Sequence, residues 1–117
     1  MSRKRFVDPE MWRDPAVAKM TRDERLMFVG IITIADDEGR LAASPAALQG
    51  ALYPNDAGVS PNRIRKWRDG LVAKLSNVHL YTHEGVEYVC LRRWERYQKP
   101  SHPTESKLPK PSRGNTE

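Results

Sequence analysis

Ser60-Pro61-Asn62-Arg63-Ile64-Arg65-Lys66-Trp67-Arg68-Asp69-Gly70-Leu71-Val72-Ala73-Lys74-Leu75 spells one amphipathic helix, and its two faces decide the fold. Ser60 is an N-cap whose hydroxyl can accept from a backbone N–H that the first turn leaves unpaired. Pro61 suits the first helical position, where a missing N–H costs nothing. Ile64, Trp67, Leu71 and Leu75 recur at three- and four-residue spacing, which predicts a buried stripe. The opposite face carries Asn62, Arg63, Arg65, Lys66 and Arg68 against one acid, Asp69. Arg and Asn make paired hydrogen bonds with guanine and adenine edges, and Arg and Lys bind phosphate. The pattern predicts a recognition helix for double-stranded DNA, with Asn62, Arg63 and Lys66 in the major groove and Arg65 and Arg68 toward the flanking phosphates.

A basic helix face also serves plain solubility, so the placement of charge matters more than the net +5. Residues 8–58 hold nine acidic and five basic side chains, residues 60–75 five basic and one acidic, and residues 92–117 seven basic and three acidic. Charge needed only for solubility would not be segregated in this way, and segregation points to a polyanionic partner. Arg3, Lys4 and Arg5 in the N-terminal arm, with Arg92, Arg93, Arg96 and Lys99 near the other end, therefore join the DNA-binding candidates.

A chain of 117 residues supports one small domain. That domain is expected over residues 1–99 and a disordered, basic, Pro-rich tail over 100–117, because Pro100, Pro103, Pro109 and Pro111 break the remainder. Such a tail would add phosphate attraction and nothing to the core. No run approaches the roughly 18 apolar residues that span a bilayer, and Met-Ser-Arg-Lys-Arg is not followed by a signal-peptide core. A cytoplasmic protein with no membrane partner is expected. A lone Cys90 with scattered His79, His83 and His102 offers neither an internal disulfide nor zinc spacing, so no metal or cofactor is expected. Without a glycine-rich phosphate loop or a matched acid and base, the chain does not read as an enzyme.

The remaining elements surround the basic helix. Asp8-Pro9 opens a brief helical turn, beside which Trp12 is expected to anchor on the body. Thr21-Arg22-Asp23-Glu24 matches a capping box and starts a central helix over residues 21–35, with Leu26, Phe28, Val29, Ile32 and Ile34 in the core. Ala35-Asp36-Asp37-Glu38-Gly39-Arg40 reads as a solvated turn, since a calcium loop spreads its ligands over about twelve residues. Leu41 starts a strand of one or two residues.

Ser44-Pro45 opens a short helix over 46–52, and the loop 53–59 joins it to the basic helix as a helix-turn-helix. Val78-His79-Leu80-Tyr81 and Val86-Glu87-Tyr88-Val89-Cys90-Leu91 alternate as strands around Thr82-His83-Glu84-Gly85, forming a wing whose tip lacks cations. Cys90 is a small buried hydrophobe. Trp94 and Tyr97 suit base stacking and docking on the core equally. The expected fold class is mainly α with a small β-hairpin, a winged helix-turn-helix.

This order of elements, with Arg5-Phe6-Val7-Asp8, Ala35-Asp36-Asp37-Glu38-Gly39-Arg40 and Trp94-Glu95-Arg96-Tyr97-Gln98-Lys99, resembles the N-terminal winged-helix domain of phage replisome-organiser proteins, which are DnaD-like replication initiators. The resemblance covers about residues 3–112. It implies a DNA-binding domain that self-associates, with a homodimer and a replication protein as further partners, in replication initiation or as a transcriptional regulator. In that family a separate C-terminal domain engages helicase-loading partners; none is legible here, so a stand-alone DNA binder is expected. The alternative is a protein-interaction module that dimerises or docks a replication partner, with its basic surface incidental.

Overall fold

Capping side chains set where the helices begin in the computed structural model, which describes residues 3–112. Asp8 accepts from the Glu10 N–H to open a 3-10 helix, Pro9–Arg13, and Asp14 accepts from the Ala16 N–H to open α1, Pro15–Ala18. Thr21 and Glu24 cap each other's backbone N–H groups at the start of α2, Arg22–Ile34. Ser44 caps α3, Pro45–Leu52, and Ser60 caps α4, Pro61–Lys74, each with proline at the first helical position.

The sheet is antiparallel in the order β1-β3-β2: β1 is Arg40–Ala42, β2 is Val78–His83 and β3 is Val86–Leu91. The strand expected at Leu41 is present over three residues and joins the expected hairpin as a third strand, because Arg40, Leu41 and Ala42 pair with Cys90, Val89 and Tyr88. Glu84 (φ 51°) and Gly85 (φ 78°) make the hairpin turn, whose two positive φ values match the twist of the strands. The molecule is a set of helices on a small three-stranded antiparallel sheet.

Alternation gives the sheet two distinct faces. Leu41, Val89 and Leu80 lie side by side on the inner face and join Met27, Ile31, Leu48, Ile64 and Leu71 in one core. The outer face carries Tyr88 opposite Tyr81 and Cys90 opposite His79. His79, Tyr81 and Tyr88 stack along it with centroids 5.7 and 5.6 Å apart.

Two anchors differ from expectation. Leu26 is 61% exposed, because the buried phase of α2 is Glu24, Met27, Phe28 and Ile31, and Leu26 falls outside that stripe. Trp12 is 59% exposed; no residue of the short 3-10 helix is fully buried, and Met11 rather than Trp12 packs against the core.

The expected solvated turn and free tail also differ. Asp37 receives Arg3 Nε and Arg5 Nη2, each at 2.9 Å, and its side chain is almost inaccessible. From Ser101 to Ser112 the chain has no helix or strand, yet it lies against the body. Thr104 N–H donates to Asp37, Ser106 N–H to Glu38 and the Ser106 hydroxyl to Asp36. Farther along, Arg40 donates to the Leu108 carbonyl and Tyr81 to the Pro109 carbonyl. Residues 113–117 of the expected tail lie outside the described residues.

Candidate nucleic-acid interface

The buried stripe of α4 is Ile64, Arg68 and Leu71, continued by Leu75 at the C-cap. Trp67 is only half-buried, its ring tilted against Tyr53 with centroids 5.7 Å apart. Contact with α2 is close at Gly70, where an added Cβ would lie 2.0 Å from the Glu24 carboxylate. Glu24 is itself buried and accepts Lys74 Nζ at 2.6 Å. Burial alone would raise its carboxyl pKa, but the bonds from Lys74 and the Thr21 N–H outweigh it and hold the group below its ordinary value.

With that side fixed, Asn62, Arg63, Arg65 and Lys66 all stand exposed on the first two turns. Arg65 Nη1 lies 3.4 Å from Asn62 Oδ1, a long contact, and the Arg63 guanidinium sits 5.9 Å from the Trp67 ring centroid. Three cations and an amide thus share one helix end, and no acidic side chain lies within that run.

Arg68, expected among them, is instead 3% exposed. Its guanidinium donates to the Ala43 carbonyl at 2.8 Å, the Glu87 carboxylate at 3.0 Å and the neighbouring Asp69 at 3.0 Å. Burial would lower its pKa, but the Glu87 and Asp69 carboxylates raise it, so the cation is kept. The reason is positional: Arg68 lies four residues after Ile64 and so shares the buried stripe. Glu87 and Ala43, with the neighbouring Asp69, make its burial tolerable.

The terminal cations divide. Arg5 is buried at its side chain, bonded to Asp37 and to the Ala35 carbonyl at 2.9 Å, with its guanidinium 5.0 Å from the Trp94 ring centroid. Arg3 pairs with Asp37 and donates to the His102 carbonyl. Both hold the fold together and are not free for phosphate, whereas Lys4 is exposed. Arg92, Arg93, Arg96 and Lys99 are exposed as well, but they follow β3 near the far end of α4. The Arg92 N–H donates to the Asn77 carbonyl there at 2.7 Å. Arg63 and Leu75 are separated by about 18 Å at roughly 1.5 Å per residue, so these are two clusters and not one surface patch.

Trp94 is buried, and its indole N–H donates to the Asp37 carbonyl at 3.0 Å, which removes it from any stacking role; Tyr97 remains 46% exposed. Sequence reasoning misses Gln98. Its amide donates to the Phe6 carbonyl at 2.6 Å and accepts from the Phe6 N–H at 2.9 Å, as a neighbouring strand would. The arm, the acidic turn and the Trp-x-x-x-Gln segment therefore meet in one structural clasp. At the wing tip His83 and Glu84 face solvent with no Lys or Arg.

No family model, curated protein or solved structure matches the chain. Among the described residues, no helix is long and apolar enough to cross a membrane.

Proposed function

We propose that the protein binds double-stranded DNA as a winged helix-turn-helix, with α3 and α4 as the helix pair and β2 and β3 as the wing. The observation that carries this is the exposure of Asn62, Arg63, Arg65 and Lys66 together on one end of a helix whose other face is fixed in the core. Side chains on a rigid element read base edges with defined geometry, and Arg offers the fork that guanine accepts. Asn62, Arg63 and Lys66 take the base-reading positions, and Arg65 the adjoining phosphate. Lys4 and the cluster Arg92, Arg93, Arg96 and Lys99 add a second, sequence-independent attraction. Arg3, Arg5 and Arg68 have structural work instead. The resemblance of the clasp segments to phage replisome organisers suggests the setting: replication initiation or control of transcription in the host cytoplasm.

Selection of bound sites from random DNA, followed by isotherms on the selected and a scrambled duplex, tests the proposal. Replacing Arg63 by Ala should cost about 1–3 kcal/mol on the selected site and little on the scrambled one. Equal, small losses for Asn62, Arg63 and Lys66 would favour an interaction module instead. One observation supports that second reading: Phe6, Trp12, Leu26 and Tyr97 are large, apolar and exposed.

A further inference from the structure

Phe6 is 72% exposed and Tyr97 46% exposed, yet the backbone beneath both is fixed. The Gln98 amide holds the Phe6 N–H at 2.9 Å and the Phe6 carbonyl at 2.6 Å. On the neighbouring segment the Tyr97 and Gln98 N–H groups both donate to the Trp94 carbonyl, at 3.1 and 3.0 Å. The clasp thus displays two rings from a rigid base. A ring placed for stability alone would be buried, because its contribution scales with the area removed from water.

Phe6 stands between two clefts. One, of about 320 Å³, is lined by Lys4, Lys99, Arg3 and Arg5 and, among the described residues, by no acidic side chain. The other, of about 240 Å³, has Tyr97, Arg92 and Arg93 in its wall. Arg3 and Arg5 are committed to Asp37. Lys4, Lys99, Arg92 and Arg93 are exposed, and among the described residues none of them forms an ion pair. Acid lines the second cleft on the side of the 3-10 helix, at Asp8, Glu10 and Asp14, and Glu95 is exposed on the turn before Tyr97.

Exposed rings beside unpaired cations are the parts that hold single-stranded nucleic acid, whose bases stack on the rings while its phosphates meet the cations. A duplex cannot use the rings in this way, because its base faces are already stacked on one another.

We propose that the clasp is a second nucleic-acid site, which takes single-stranded DNA with bases stacked on Phe6 and Tyr97 and phosphates on Lys4, Lys99 and Arg93. Every base has a π-face, so the site selects strandedness and tolerates any sequence. The carboxylates beside the 3-10 helix repel phosphate and confine the strand to the cationic side of the rings. The site goes beyond duplex reading by α4 and does not rest on it. A protein with both would act where duplex meets opened strand.

Anisotropy of the full chain with a labelled oligothymidine of about 12 nucleotides tests the site directly. The unaltered chain should bind it one to one at low salt. Phe6→Leu with Tyr97→Leu should weaken binding at least about 10-fold, whereas Phe6→Tyr with Tyr97→Phe, which keeps both rings, should stay within about twofold. Lys4→Gln with Lys99→Gln should lower the salt slope by about 1.4, since each phosphate contact on a single strand contributes about 0.7. An unaltered chain that does not bind, or a Leu variant that binds equally well, overturns the proposal. If the Leu variant loses its native circular dichroism, Phe6→Leu alone decides: about a 5-fold loss is expected, and no loss overturns the site.

A duplex arm separates this site from α4. The Leu variant should bind the duplex selected for α4 as tightly as the unaltered chain, and Arg63→Ala should leave oligothymidine binding unchanged. Failure of the α4 reading therefore leaves the oligothymidine result standing. A Leu variant that loses both forms of DNA alike overturns the separate site.

Discussion

Arg68 of α4 and Glu87 of β3 form an ion pair at 3.0 Å across the inner side of the sheet, and the same guanidinium holds the Ala43 carbonyl at the start of α3. One side chain therefore ties together three elements: the basic helix, the hairpin and the segment entering the preceding helix. Removing it would leave a partly buried carboxylate and a buried carbonyl without their donor. Arg68→Ala should destabilise the fold by about 2–4 kcal/mol, less than a fully buried pair because Glu87 retains some water. Arg68→Lys should recover only part of this, since an ammonium cannot reproduce the planar fork. Thermal melts check the order, and a melting temperature unchanged in Arg68→Ala would show that this side chain does not tie the three elements together.

Two glycines in helices should respond in opposite directions. At Gly70 an added Cβ meets Glu24 Oε2 at 2.0 Å and Cδ at 2.9 Å, and Glu24 has little freedom to yield because it holds Lys74 and the Thr21 N–H. At Gly50, exposed in α3, an added Cβ would have nothing within 4 Å. Gly50→Ala should stabilise by about 0.5–1 kcal/mol through helix propensity alone. Gly70→Ala gains the same propensity but forces the carboxylate aside, for a net loss of about 1–2 kcal/mol. Denaturant midpoints that move the same way for both would contradict the close approach of α2 and α4.

What is legible in the sequence is what short range decides. Thr21 with Glu24, and Ser44 and Ser60 with the prolines that follow them, act within one turn, and each helix start they predict is present. Glu84-Gly85 likewise fixes its own turn. The pairing of β1 with the hairpin, the burial of Arg68 and the path of the tail depend on partners 19 to 70 residues away. Charge composition alone assigns Arg3, Arg5 and Arg68 to DNA together with Arg63 and Arg65. Only the positions of Asp37, Glu87 and Ala43 separate the structural cations from the exposed ones.

The docking of residues 101–112, a C-terminal strap, on the body changes what trimming the C-terminus should do. A free tail could be removed without affecting the melt, but deletion from Ser101 would take the Pro109 carbonyl and its cover from the buried Tyr81 and withdraw three donors from Asp36, Asp37 and Glu38. The loss should be about 2–4 kcal/mol from exposed aromatic surface and broken hydrogen bonds. In a domain of this size that is a fall of roughly 10 °C or more. A melting temperature within a degree or two of the full chain would show that the strap contributes nothing to the fold.

Acid should act through the same carboxylates. For Asp37, the Thr104 N–H bond lowers the pKa most. Burial opposes it, and Arg5 and Arg3 add to the lowering, so the group sits below its ordinary value of 3.8; Glu24 sits below its ordinary 4.5. In the unfolded chain both return to ordinary values, so between about pH 5 and neutrality the two are ionised in either state and their contribution to stability is complete. As pH falls below about 4, the unfolded chain takes up protons first, and the contribution disappears as pH passes through the lower folded values. The melting temperature should therefore be nearly flat from pH 7 to about 5 and drop below about 4. Asp37→Asn should start lower at pH 7, because Arg5 and Arg3 lose their counter-charge, and should fall less steeply on acidification. Amide exchange at Thr104 should accelerate over the same acid range, once corrected for intrinsic rates, as its acceptor becomes protonated. An acid limb equally steep in Asp37→Asn and the unaltered chain would remove Asp37 from the account and leave Glu24 and its Lys74 partner as the group to test.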